Sequence, residues 1–175
     1  FGGEGLSGTG PKAGGPLYLG RLVKNADSRA PAPGEPVELP GPVGERNVYT
    51  VHPRGRVLML ARTDTGLLQQ INVVLETGNS PVLEESKPNR AMAADLSSSV
   101  AETIEWIANW RTSDPFAQVL IEAAARGIVP LLEDIAAKDG PIPIVQLGGP
   151  DRPYRKDWLF EEVSVSIDTT AAGGN

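Results

Sequence analysis

The segment RVLMLARTDTGLLQQINVVL, residues 56–75, decides the fold class. Its first six residues, Arg56–Ala61, are almost wholly apolar, the pattern of a strand covered on both faces. Thr63 and Asp64 then offer a helix N-cap. Leu67, Leu68, Ile71, Val74 and Leu75 fall at i, i+1, i+4, i+7 and i+8, which places them on one helical face. Gly78 stands where a C′ glycine would close that helix. A buried strand running straight into an amphipathic helix is the building unit of a layered α/β domain.

Downstream the same alternation continues. Pro81–Glu84 is a second short strand, and the Ala/Ser-rich stretch Lys87–Ser99, with Pro88, is loop or short helix. Two Trp and two Ile favour a strand over Thr103–Trp110. Ser113-Asp114-Pro115 has the form of a cap followed by proline at the first helical position, so Phe116, Val119, Leu120 and Ala123 are expected as a buried helical stripe. Gly127 breaks that helix, and Val129–Lys138 makes the next one. Ile142–Leu147 and Trp158–Ile167 are strands, the latter alternating Val163, Val165 and Ile167 with Ser164 and Ser166. The expected fold is a Rossmann-like, doubly wound α/β domain with helices on a mainly parallel sheet.

Upstream the texture differs. Residues 1–44 hold 11 Gly and 7 Pro, half of the 36 in the chain (20 + 16), so this quarter is neither mostly helix nor mostly sheet. Residues 1–23 form a glycine-rich loop running into a short apolar stretch, and residues 24–47 a Pro-rich linker or arm. The chain begins at Phe1, inside a glycine motif and without the charged and apolar regions of a secretory leader, and is expected to be part of something longer.

Composition removes several chemistries. The formal charge of 16 − 22 = −6 argues against a nucleic-acid or anionic-membrane surface. No apolar run reaches the roughly 18 residues of a membrane span. With no Cys and a single His, there is no disulfide, thiolate metal site, cysteine nucleophile or two-His metal motif in this chain. No metal ligands are expected here, and the expectation that catalytic and cofactor-binding residues are also absent from this chain rests on the turn and the resemblance described below.

The first βα turn is where a dinucleotide pyrophosphate would bind, and it needs GxGxxG for close backbone approach. Here it reads ARTDTGLL, residues 61–68, with one glycine and with Asp64 set against the phosphates, so a nucleotide site is not expected. SGTGPKAGG, residues 7–15, does not match a P-loop, because Lys12 lies between the glycines and no Ser or Thr follows it; a tight loop is the simpler reading. His52, before Pro53, has no partner in a triad order and is read as a surface or turn residue. The adjacent pairs Glu84-Glu85, Glu133-Asp134 and Glu161-Glu162 point to different sides of their elements, whereas acid–base pairs converge from separate ones, so these are read as solvated faces. Trp106, Trp110 and Trp158 are expected to fill the core or an interface.

Two stretches carry a specific likeness. FGGEGLSGTGPKAGGPLYLGRL, from Phe1, resembles the segment near the end of the L-glutamate-γ-semialdehyde (pyrroline-5-carboxylate) dehydrogenase domain of bacterial proline utilisation A proteins. VSVSIDTTAAGGN, to Asn175, resembles the C-terminal motif of the longer members, which carry an extra domain after the dehydrogenase. Between them LPGPVGERNVYTVHPRGRVLMLA is similar to the family's linker and the first strand of that domain. The resemblance implies a parent that joins an FAD-dependent proline dehydrogenase to an NAD-dependent aldehyde dehydrogenase, with the intermediate passing through an internal cavity. It implies that the extra domain resembles the nucleotide-binding domain of aldehyde dehydrogenases without being catalytic, and covers the cavity as a lid. By the same resemblance Phe1 lines the aldehyde pocket as a substrate-binding aromatic, while Gly2, Gly3, Gly8, Gly10, Gly14 and Gly15 shape the loop beneath it. The nucleophile, general base and NAD loop would lie upstream of Phe1.

The expected division is therefore 1–23 as the end of an aldehyde dehydrogenase domain, 24–47 as the arm, 48–167 as a non-catalytic α/β domain and 168–175 as a tail motif. The upstream dehydrogenase domains are the expected partners, within a cytoplasmic enzyme that could be a homo-oligomer or sit peripherally on a membrane. Two other roles are open: a small-ligand module binding at the carboxyl ends of the strands, and an assembly module in which the Pro-rich arm at 24–47 and the strand at 158–167, with its serine face, pair with a dehydrogenase domain or another protomer by adding to an exposed sheet edge.

Overall fold

The computed structural model describes residues 4–5, 8–9, 15–18, 20, 22, 31–123 and 127–168. Strands β1 (Glu4–Gly5) and β2 (Gly8–Thr9) form a small antiparallel pair. Next come β3 (Val37–Leu39), β4 (Glu45–Pro53), β5 (Arg56–Leu60), helix α1 (Asp64–Glu76) and β6 (Ser80–Glu84). Short helices α2 (Lys87–Met92) and α3 (Ser98–Ala101) lead to β7 (Glu105–Ile107) and β8 (Gln118–Glu122). Helix α4 (Ile128–Ala136), β9 (Ile144–Gly148), a 3-10 helix at Lys156–Leu159 and β10 (Phe160–Asp168) complete the order.

Five strands make a parallel sheet in the order β7-β6-β5-β8-β9. In order along the chain these are strands 3-2-1-4-5, the doubly wound arrangement expected from residues 56–75. Local signals set its first unit. Thr63 caps α1 by accepting from the Gly66 N–H, and Gly78 follows the helix at φ +71°, a conformation glycine adopts without a Cβ penalty. Alternate residues of each central strand go to opposite faces. Val57, Met59, Leu83 and Leu120 pack with Leu67, Ile71 and Val74 of α1, whereas Leu58, Val82, Val119 and Ile121 pack with Trp110, Phe116 and Ile135.

Two expectations are corrected. The stretch 116–123 is not a helix: Gln118–Glu122 is β8, with all five residues buried. Its register with β5 on one side and β9 on the other makes it a central strand, and pairing on both edges overrides the cap-like Ser113-Asp114-Pro115. Ser113 instead donates its hydroxyl to the Trp110 carbonyl, 3.0 Å away. The last strand also does not extend the parallel sheet. Trp158 belongs to the 3-10 helix, and β10 pairs antiparallel with β4 over nine residues, Phe160 opposite Pro53 to Asp168 opposite Glu45. With β3 on the far side of β4, this is a separate three-stranded flap, packed around Tyr49, Val51, Leu17 and Phe160. The flap takes up Val37–Leu39 and the start of β4 from the stretch read as an arm, and the expected division at residue 47 falls inside β4.

Candidate functional site

In an open parallel sheet, ligands bind outside the carboxyl ends of the strands where the order reverses. Here the reversal lies between β5 and β8, and the two strand ends carry Ala61-Arg62-Thr63 and Glu122. The Glu122 side chain crosses to the N-terminus of α1. Oε2 accepts from the backbone N–H of Arg62 at 2.6 Å and of Thr63 at 2.9 Å, and Oε1 accepts from the Thr63 hydroxyl at 2.7 Å. Thr63 Oγ1 in turn accepts from the Gly66 N–H at 3.0 Å. An anion at a helix N-terminus meets orphan donors and the positive end of the helix dipole. The anion at this one is the protein's own carboxylate.

Gly66 is what lets the carboxylate in. A Cβ at residue 66 would lie 2.0 Å from Glu122 Oε2. The one glycine of the turn thus makes room for an intramolecular carboxylate where a nucleotide fold makes room for phosphate. Burial pushes the Glu122 pKa up, but the hydrogen bonds from the Thr63 hydroxyl and the Arg62 and Thr63 amides, with the Arg62 charge, hold it below the ordinary carboxylate range.

That depression has a sign. A carboxyl group whose pKa is lower folded than unfolded adds stability at neutral pH, and the gain is lost as pH falls through the folded value. Glu122→Gln is therefore expected to unfold at lower urea concentration than the parent chain at pH 7, with the difference shrinking as the pH drops below the ordinary glutamate range. Urea titrations at stepped pH check this, and a difference that widens with acid would contradict it.

Beside Glu122 lies a cavity of about 310 Å³, lined by the apolar Met59, Leu60, Ile121, Ile128 and Leu131 and by Glu84, Ser86 and Asn89 among its polar groups. Ser86 and Asn89 are partly spent on structure: Ser86 caps α2 by accepting from the Asn89 N–H, and Asn89 Nδ2 donates to the Glu84 carbonyl. The carboxyl ends of the strands therefore form a small, half-apolar recess with carboxylates on its rim.

The expected site residues are spread differently. Phe1, Gly2, Gly3, Gly10 and Gly14 lie outside the described residues. Gly8 sits in β2, opposite Gly5, and the Gly15 carbonyl accepts from the Tyr18 N–H in a turn. His52 is exposed, with Nε2 3.0 Å from Thr50 Oγ1. Of the paired carboxylates, Glu85 is ion-paired with Arg90, and Glu133 and Asp134 are exposed. Glu162 does not belong to a solvated face: it is buried in the flap and accepts from the Tyr49 hydroxyl at 2.7 Å. Burial, reinforced by Glu162, pushes the Tyr49 pKa far above the usual phenol value, so Tyr49 remains a hydroxyl donor. Trp110 is buried and Trp106 is half-buried beneath the Arg90 guanidinium, 3.6 Å from its ring centre. Glu122 was not singled out by any motif, because its partners lie 59 and 60 residues away.

No family model matches the chain. The bifunctional protein PutA of Rhizobium meliloti is 41% identical over 219 residues, taking in 100% of this chain and 18% of its own length. The Escherichia coli K12 protein of the same name is 34% identical over 226 residues, again with 100% of this chain and 17% of its own. The chain belongs to the PutA family. It spans less than a fifth of the length of these PutA relatives, and so corresponds to one part of a long multidomain polypeptide. Among solved structures, a Bradyrhizobium japonicum proline utilization A (PutA) variant aligns with a TM-score of 0.54 and 22% identity, over 67% of this chain and 14% of its own. An Escherichia coli NADP-dependent enzyme aligns with a TM-score of 0.50 and 16% identity, over 66% of this chain and 27% of its own. At such identities the likeness is one of fold. Among the described residues no helix is long and apolar enough to cross a membrane.

Proposed function

We propose that this PutA segment is a non-catalytic α/β cap, with residues 48–167 seated over the passage between the two active sites of a bifunctional enzyme that oxidises proline to glutamate. The parent would use FAD for the first oxidation and NAD for the second, and both cofactors would be held outside this chain. The observation that carries the reading is Glu122: a Rossmann-type sheet whose own carboxylate fills the phosphate position is suited to packing and poorly suited to binding a dinucleotide. Phe1 and the glycines from Gly2 to Gly15 would belong to the neighbouring aldehyde dehydrogenase active site, as the resemblance implies.

The test uses the intact polypeptide with and without residues 48–167. The expected result is that both half-reactions persist with supplied substrates, while NADH production from proline acquires a lag as the intermediate escapes to solvent. A coupled reaction without a lag would sink the cap. The recess beside Glu122 favours a second reading, a small-ligand module. A thermal-shift series on the 175-residue chain alone with NAD, proline and glutamate separates the two: the cap predicts no response to any of them, and a rise of several degrees with one would favour the module.

A further inference from the structure

The recess beside Glu122 has the outline of half a dinucleotide site. In a nucleotide-binding βαβ unit the pyrophosphate sits on the first helix N-terminus, and an acidic residue about 20 residues further on accepts from the ribose hydroxyl. The first position is taken by the Glu122 carboxylate. The second is not taken. Glu84 ends β6, about 20 residues after Thr63, and it lines the recess half-buried. Its carboxylate has no hydrogen-bond or ion-pair partner among the described residues. Two neighbours also keep capacity to spare. Ser86 Oγ accepts from the Asn89 N–H and still has its own proton to donate, and Asn89 Oδ1 has no donor among the described residues.

We infer that the recess takes an uncharged nucleoside, with Glu84 accepting from the ribose diol and the base lying on the apolar lining of Leu60, Ile121 and Leu131. This rests on the second reading above, the recess as a small-ligand site, and is compatible with the cap. Size limits the occupant. At about 310 Å³ the cavity stands at the lower end of small-molecule sites, about 300–1,000 Å³, which suits one base with its sugar rather than a dinucleotide. Charge removes the phosphate. Glu84 and Glu122 both line the recess, and the exposed Arg62 guanidinium is the one cation beside them, its charge already acting on Glu122. A phosphate directed at α1 would meet the Glu122 carboxylate, and like charges set together are costly. The diol, by contrast, offers two hydroxyl donors to a carboxylate that only accepts.

The experiment is hydrogen exchange on the intact polypeptide with adenosine, 2′-deoxyadenosine and AMP as probes, read at residues 84–90 and 127–131. Only protection at these amides counts, so adenine binding elsewhere in the polypeptide does not register. Millimolar adenosine is expected to slow exchange there several-fold, and 2′-deoxyadenosine and AMP much less. Glu84→Gln, an isosteric change at a strand end, should bring adenosine down to the level of 2′-deoxyadenosine. No slowing with adenosine, equal slowing by all three probes, or an undiminished preference for adenosine in Glu84→Gln would each overturn the inference. The comparison of the three probes on the unsubstituted polypeptide decides even if that variant does not fold. The two readings fail separately: protection of the same residues by proline or glutamate, without adenosine, keeps a small-ligand site and removes the nucleoside, whereas silence toward all of them removes both.

Discussion

Gly66→Ala is expected to destabilise the α/β domain by about 3 kcal/mol, opposite in sign to the usual result. In an exposed helix interior, alanine is better than glycine by about 1 kcal/mol. Here the added methyl would lie 2.0 Å from Glu122 Oε2 and 2.7 Å from Oε1, so helix and carboxylate cannot keep their positions. The carboxylate is the part that can leave, and leaving forfeits its bonds from Arg62 N–H, Thr63 N–H and the Thr63 hydroxyl. Hydrogen bonds to a charged group contribute about 1.5–3 kcal/mol each, and the amides released are only partly reached by water. Glu122→Ala loses the same bonds without the clash and is expected to cost about 2 kcal/mol. The pair therefore forms a cycle. Once the carboxylate is gone, the methyl at residue 66 finds space and helix propensity returns, so the double variant should be more stable than Gly66→Ala alone. Urea denaturation of the four proteins reads this directly. Additive losses would show that Gly66 and Glu122 do not share the space the structure gives them.

The same pair shows what was legible in the sequence. The β5-α1 unit could be read because its determinants are local: an apolar run, a capping Thr63, a helical stripe and Gly78 fall within 23 residues. Residues 118–122 could not, since QVLIE suits either a buried strand or a buried helix, and only the pairing with β5 and β9 decides. The alternation of β10 announced a strand but not its sheet. Its partner β4 lay partly in a stretch whose prolines and glycines pointed to an arm. The missing GxGxxG argued against a nucleotide, yet no local pattern indicated that a glutamate would take the phosphate's place. Tyr49 and Glu162, 113 residues apart, were hidden for the same reason.

Asn79 gives the second large effect, because it ties the flap to the α/β sheet. Its side chain is nearly fully buried and reaches three segments. Oδ1 accepts from the Gly55 N–H ahead of β5 at 2.9 Å, while Nδ2 donates to Thr77 Oγ1 at the end of α1 and to the Leu159 carbonyl at the entry to β10, each at 2.9 Å. Asn79→Ala leaves the half-buried Gly55 donor and the buried Leu159 acceptor without those partners, at an expected total cost of about 3 kcal/mol. Asn79→Asp separates the roles: it can still accept from Gly55, but it cannot donate, and its carboxylate faces the Leu159 oxygen, so it should be no more stable than alanine. The loosening should be confined to the junction. The ladder between β10 and β4 does not involve Asn79, so the flap should hold together while its seat weakens. In hydrogen exchange, the Gly55 and Phe160 amides should speed up well before those in the middle of β10. Uniform acceleration along β10 would place the flap's anchor elsewhere. If the segment acts as a cap, a loosened seat swings the flap relative to α4, and the lag expected on deletion should appear in part in Asn79→Ala.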